Sequence, residues 1–193
     1  MIILETPRLA LRQLSFDDAG FIFELLNEPG WLRFIGDKGV RNLEDARDYI
    51  RTGPMASYER LGFGLYVVML KDTGTPVGMC GLLKRDTLPD VDIGYAFLER
   101  HQGRGYAHEA AAAMIAHGRN NHGLERIVAI TNADNVASAK VLGKIGMRFE
   151  ALIPWEGGAD VRLFALVQKI SPSLPRSPGY EGANSTGSIT CSP

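Results

Sequence analysis

The residues best placed to do chemistry are Arg100-His101-Gln102-Gly103-Arg104-Gly105-Tyr106-Ala107. Two glycines with one residue between them let the backbone approach a ligand closely and take conformations closed to other residues. An alanine-rich run follows at once and predicts a helix from Tyr106. The first N–H groups of a helix lack internal partners, and that end carries partial positive charge. Together these features predict a phosphate or pyrophosphate site on backbone amides, with Arg100 and Arg104 adding charge. A plain tight turn uses the same glycines, so the pair alone leaves both readings open. A dinucleotide fingerprint would need a third glycine where His108 stands. A P-loop would need G-K-[ST], which is absent here.

Two further groups of residues could act on a bound substrate. Asn135 and Ser138 lie three apart at the start of a predicted helix and so share one face. An Asn N-cap with Ser in the first turn explains the same spacing. Glu150 follows Gly146-Met147-Arg148-Phe149, and in an apolar neighbourhood its pKa would rise toward that of a general base. A solvated or ion-paired strand glutamate is the competing reading. Asp92 and His101 are weaker candidates for the same task. Trp31, Phe34 and Trp155 are candidate pocket walls, or equally core residues.

These residues must be positioned by an alternation of strands and helices. Leu9, Leu11 and Leu14 predict a strand, and Ser15 predicts an N-cap before a helix carrying Phe21, Ile22, Leu25 and Leu26. Asn42 predicts a second helix through Ile50. Residues 63–70, 76–83 and 91–98 predict a three-strand meander. The glycine turn and a helix over 106–117 follow, then a strand over 126–130 and a helix over 135–145 ended by Gly146. Residues 147–153 and 161–167 predict two closing strands. The result is a mixed α/β sheet with helices in its connections.

Composition narrows the function classes. The 193 residues carry 21 Lys and Arg against 22 Asp and Glu, a net charge of -1. That balance argues against a nucleic-acid partner. No apolar run approaches the roughly 20 residues that span a bilayer, so no membrane partner is expected. Two cysteines, Cys80 and Cys191, make neither a disulfide framework nor a metal site, and the start lacks a signal-peptide pattern. A cytoplasmic location is the expectation. From Ser171 to Pro193, 15 of 23 residues are Ser, Thr, Pro or Gly, which predicts a flexible tail after a domain of residues 1–170.

In these residues the chain resembles the GNAT N-acetyltransferase superfamily, and within it the RimJ/RimL-type branch. Arg100-His101-Gln102-Gly103-Arg104-Gly105 matches the acetyl-CoA signature [QR]-x-x-G-x-[GA]. Tyr106-Ala107 and Glu109-Ala110 extend it, and Asp92-Ile93-Gly94-Tyr95 precedes it in the branch's order. Leu4-Glu5-Thr6-Pro7-Arg8-Leu9-Ala10-Leu11-Arg12 resembles the branch's L-x-T-x-R-L-x-L-R opening. Asn135, Ser138, Val141, Leu142, Lys144, Gly146 and Met147 match N-x-x-S-x-x-V-L-x-K-x-G-F, with Met for Phe.

The resemblance covers residues 4 to about 168. It implies a mostly antiparallel sheet with one splayed parallel pair of strands. It implies transfer of the acetyl group of acetyl-CoA to a primary amine, without a metal. The pantetheine arm would pair with the backbone of Tyr95, Ala96, Phe97 and Leu98. The pyrophosphate would sit on the amides of Gln102, Gly103, Arg104, Gly105, Tyr106 and Ala107, and Asn135 would bond the pantetheine. Tyr95 or Phe97 would offer an oxyanion N–H, Glu150 would be the base, and Ser138 would replace the helix tyrosine that many members use as acid, since Leu142 stands there. The acceptor, a peptide N-terminus or a small amine, and the oligomeric state, a homodimer included, stay open. Two rival readings remain: an acyl-CoA-sensing module on the same fold, and a dinucleotide-dependent oxidoreductase motivated only by Gly103 and Gly105.

Overall fold

Residues 1–155 and 158–167 are described by the computed structural model; the predicted tail lies outside them. Short apolar runs pair in chain order to build most of one sheet. The strands are β1 (Ile2–Glu5), β2 (Leu9–Arg12), β3 (Leu65–Leu70), β4 (Pro76–Leu83), β5 (Val91–Phe97), β6 (Arg126–Asn132), β7 (Arg148–Ile153) and β8 (Val161–Val167). Their spatial order is β1-β2-β3-β4-β5-β6-β8-β7. Every neighbouring pair is antiparallel except β5 and β6. The helix signals resolve into α1 (Ala19–Leu26), α2 (Pro29–Phe34), α3 (Leu43–Ile50), α4 (Ala56–Leu61), α5 (Tyr106–His122) and α6 (Val136–Lys144).

Alternation along the strands sends side chains to two faces. Val67, Met79 and Leu98 pack with Ile22, Leu25 and Ile50 of α1 and α3 on one face. Tyr66, Val68, Ile93 and Phe97 pack with Ala110, Ala111 and Met114 of α5 and Leu142 of α6 on the other. Small alanines let α5 lie close to the sheet, which fixes the height of its N-terminus above the end of β5.

Local signals account for the helix starts. Asn42 caps α3 by accepting from the amides of Glu44 and Asp45. Ser15 and Asp18 form a capping box ahead of α1. The Asp18 carboxylate also takes two bonds from the Arg12 guanidinium, at 2.7 and 2.8 Å. Between α3 and α4 the chain makes a π turn over Arg51–Met55 with Pro54 inside it.

The pairing of β5 positions the site. β5 runs alongside β4 from Asp92 to Phe97, but its parallel pairing with β6 stops at Asp92 opposite Val128. β6 pairs with β8 over its whole length. Each strand is thus held by its outer neighbour, and the inner edges separate beyond Asp92 into a wedge-shaped gap.

Candidate acetyl-transfer site

The gap exposes the backbone of β5 selectively. In an antiparallel ladder the N–H and C=O of one residue point the same way, and successive residues alternate. The Leu98 N–H donates to the Val77 carbonyl at 3.0 Å. By the register, Ala96 faces β4 as well, whereas Tyr95 and Phe97 face the gap. The expectation that four consecutive residues offer backbone groups is therefore corrected to two. The Phe97 carbonyl is further occupied, because Gln102 Nε2 donates to it at 3.0 Å.

Above the gap the turn is built for an anion. Gly103 and Gly105 have φ of 73° and 81°, the left-handed region that glycine enters without strain. Gln102 N–H closes a 3-10 turn onto Glu99 and so leaves the expected amide set. The amides of Gly103 through His108 find no acceptor among the described residues, since the first bond from the start of α5 is Glu109 N–H to Gly105 O. Six unpaired N–H groups at the end of a 17-residue helix make a strong anion cradle. Arg104 is exposed and without an ion pair among the described residues. Arg100 is turned to another partner: its guanidinium pairs with Glu24 of α1.

Three residues absent from the expected site hold this turn in place. Arg8 Nε donates to Glu109 Oε2 at 2.6 Å, and Arg8 Nη1 donates to the Arg104 carbonyl at 2.9 Å. Thr6 Oγ1 donates to Glu109 Oε1 at 2.6 Å, and the Arg8 guanidinium covers the Tyr106 ring at 4.8 Å. Burial opposes ionisation of Glu109, but these donors outweigh it and hold its pKa below the usual range. The T-x-R opening and Glu109 stood in the sequence as motif letters without a stated task.

Across the gap, the Tyr95 hydroxyl lies 3.0 Å from Ser138 Oγ and donates to the Ser138 carbonyl at 3.2 Å. Burial pushes Tyr95 up to about 12, so it stays a neutral proton donor. Asn135 Oδ1 accepts from the Ser138 N–H at 3.0 Å, so its oxygen caps α6 while its amide N–H groups remain for a ligand. Leu142 is buried in the core.

The proton acceptors rearrange more. Glu150 is exposed, and the Arg126 guanidinium grips it at 2.6 and 2.9 Å. That ion pair lowers its pKa, the opposite of the rise expected for a base, so Glu150 is corrected to a surface ion-pair partner. Asp92 instead lies at the apex of the gap, 1% exposed, with Arg85 Nε 3.1 and 3.2 Å from its oxygens. Burial raises its pKa against the pull of Arg85. His101 lies in the turn after β5, its pKa lowered by burial and by Arg100 and Arg104.

Of the aromatic candidates, Trp31 is a core residue, 6% exposed among α1 and α3. Phe34 is half-buried under Arg33 at 4.8 Å. Trp155 is half-buried with Leu88, Val128 and Ala165, and Arg85 lies 5.9 Å above its ring. The α1–α2 pair is tied to both rims of the gap. Glu28 accepts from the Glu99 amide on one side, and Arg33 pairs with Asp134 at 2.8 Å on the other.

This fold and this turn are those of an acyl-transfer enzyme, and the comparisons with known proteins agree. Residues 8–148 match the acetyltransferase (GNAT) domain. The chain is 30% identical over 147 residues to the uncharacterized N-acetyltransferase YnaD of Bacillus subtilis, covering 76% of this chain and 83% of that one. A GNAT-family acetyltransferase from Bacillus anthracis superposes with a TM-score of 0.72 at 28% identity, covering 86% of this chain and 98% of that one. The same fold is seen at TM-score 0.75 and 20% identity in RimL, a ribosomal L7/L12 α-N-protein acetyltransferase solved with coenzyme A, covering 86% and 98%. The chain belongs to the GNAT acetyltransferase family and is an acyltransferase. Among the described residues there is no metal-binding cluster, and no helix is long and apolar enough to cross a membrane.

Proposed function

We propose that this chain transfers the acetyl group of acetyl-CoA directly to a primary amine, a peptide N-terminus or a small molecule, in the cytoplasm. One observation carries the reading: the gap between β5 and β6 opens directly below the amides of Gly103 through His108. That arrangement suits a ligand with an anionic head and a long arm that pairs with a strand edge. Bound acetyl-CoA would supply the activated acyl carbon and a thiolate leaving group.

The protein's own groups divide the remaining work. The Tyr95 or Phe97 N–H stabilises negative charge developing on an oxygen in the gap. Asp92 accepts a proton from the incoming amine on the α1–α3 face, where burial keeps its affinity for a proton high. The Tyr95–Ser138 hydroxyl pair holds a proton on the opposite face for the departing sulfur. The similarity to RimL, a ribosomal L7/L12 α-N-protein acetyltransferase, keeps a peptide α-amine among the acceptors. A thiol-release assay with acetyl-CoA and an amine panel tests the reading. Turnover with at least one amine supports it; intact CoA binding with no turnover on any amine would favour the sensing module.

A further inference from the structure

A cavity of about 370 Å³ is lined by no residue of β5, of the glycine turn or of α5. Tyr49, Thr52, Ser57, Arg60, Leu83 and Lys84 contribute to its wall. Leu83 stands opposite Asp92 in the β4–β5 ladder and so shares its face. Arg85, next to Lys84, grips the Asp92 carboxylate. The cavity therefore adjoins the closed end of the gap, on the side from which an amine reaches Asp92. Its volume lies at the small end of ligand pockets. It is built against the π turn at Arg51–Met55, a helix defect of a kind that recurs at functional sites.

The charges in this wall have one sign. Arg60 and Lys84 line it and no carboxylate does. Arg60 is exposed and has no ion pair among the described residues. Lys84 donates to the carbonyls of Leu88 and Pro89 and has no ion pair among the described residues, although its charge also acts on Asp92. The Ser57 and Thr52 hydroxyls already donate to the Phe63 and Asp48 carbonyls. Burial pushes Tyr49 up to about 12, so it remains a neutral O–H donor. Two cations without an ion pair among the described residues, beside a neutral donor, suit an anion and repel a second ammonium group.

We propose that this cavity receives a carboxylate or phosphate on the acceptor, so that the preferred acceptor is a small amine carrying a negative charge. The inference rests on the acetyl-transfer reading above. The test compares 4-aminobutyrate with n-butylamine, and O-phosphoethanolamine with ethylamine. A short peptide with a free N-terminus, an amidated C-terminus and neutral side chains is the fifth substrate. The expected result is a kcat/KM roughly 10- to 100-fold higher for the anionic member of at least one pair, the range of a charge-assisted hydrogen bond. Which pair responds separates carboxylate from phosphate. Arg60→Glu should collapse that ratio toward one by raising KM for the anionic amine, with KM for acetyl-CoA unchanged, and Arg60→Lys should retain part of it. Equal or better turnover of the alkylamines or the neutral peptide, or a ratio untouched by Arg60→Glu, overturns this inference alone. Intact CoA binding with no turnover of any amine defeats the transferase reading and this inference with it.

Discussion

Arg8 and Glu109 are 101 residues apart in sequence, yet the Arg8 guanidinium lies 2.6 Å from the Glu109 carboxylate and closes the underside of the anion-binding turn. The same guanidinium holds the Arg104 carbonyl. Arg8→Ala should therefore loosen the turn rather than the core. The pair is partly exposed, so the effect is expected near 1 kcal/mol, roughly a five-fold rise in KM for acetyl-CoA with kcat unchanged. Steady-state kinetics at saturating amine read this directly; a fall in kcat with KM constant would place Arg8 elsewhere.

Gly105 resists replacement through its backbone conformation rather than through lack of space. Its φ of 81° costs any L side chain about 1–2 kcal/mol, and a Cβ would lie 3.4 Å from Arg8 Nη2. Gly105→Asp adds a negative charge among the free amides. Calorimetry should detect no CoA binding to this variant, and retained affinity would remove the phosphate from this turn.

Asp92 must be ionised to accept a proton. Burial raises its pKa, so the rate should fall as pH drops through a value above the ordinary aspartate range, about 3.9. Arg85 pulls the other way, so Arg85→Met should move that acid limb to higher pH. Asp92→Asn should cost roughly 10²- to 10⁴-fold in kcat with CoA affinity intact. A pH–rate profile of kcat/KM checks the two limbs, and saturation kinetics with CoA-binding calorimetry check Asp92→Asn.

Glu150→Gln should leave the rate at neutral pH within about two-fold, because Glu150 is an exposed partner of Arg126 whose contribution is small. A hundred-fold loss in the thiol-release assay would return the role of base to Glu150.

Asp18 is 4% exposed. Burial raises its pKa, but the bonds from Arg12 and Ser15 outweigh burial and leave it lowered. A lowered folded pKa means that its contribution is complete above about pH 3.9 and is lost as pH falls through the lower folded value. Asp18→Asn should destabilise by roughly 1.5–3 kcal/mol at pH 7, the worth of a charged hydrogen bond, and flatten the acid side of a denaturation series.

Local chemistry made much of the fold readable. The strand over 76–83, the caps at Ser15 and Asn42 and the glycine turn all depend on residues within a few positions of each other. β1, α2 and α4 were missed. Each is only four to six residues long, too short for a period to be counted, although Pro29 at the start of α2 was a usable signal. The helix over 106–117 runs on to His122, where Gly123 ends it.

Where an anion could bind was legible along the chain, because left-handed glycines and a helix start are properties of neighbouring residues. The sequence also determined the family, because the order of its motifs is linear. Tertiary structure alone decided which charged groups were free to act. Arg100 found Glu24, Glu150 found Arg126 and Asp92 was buried beside Arg85, and those partners lie 76, 24 and 7 residues away. Even at the shortest separation the outcome rested on burial at a strand junction. Charge state is set by what packs around a group in space, and that surrounding comes from the whole sheet.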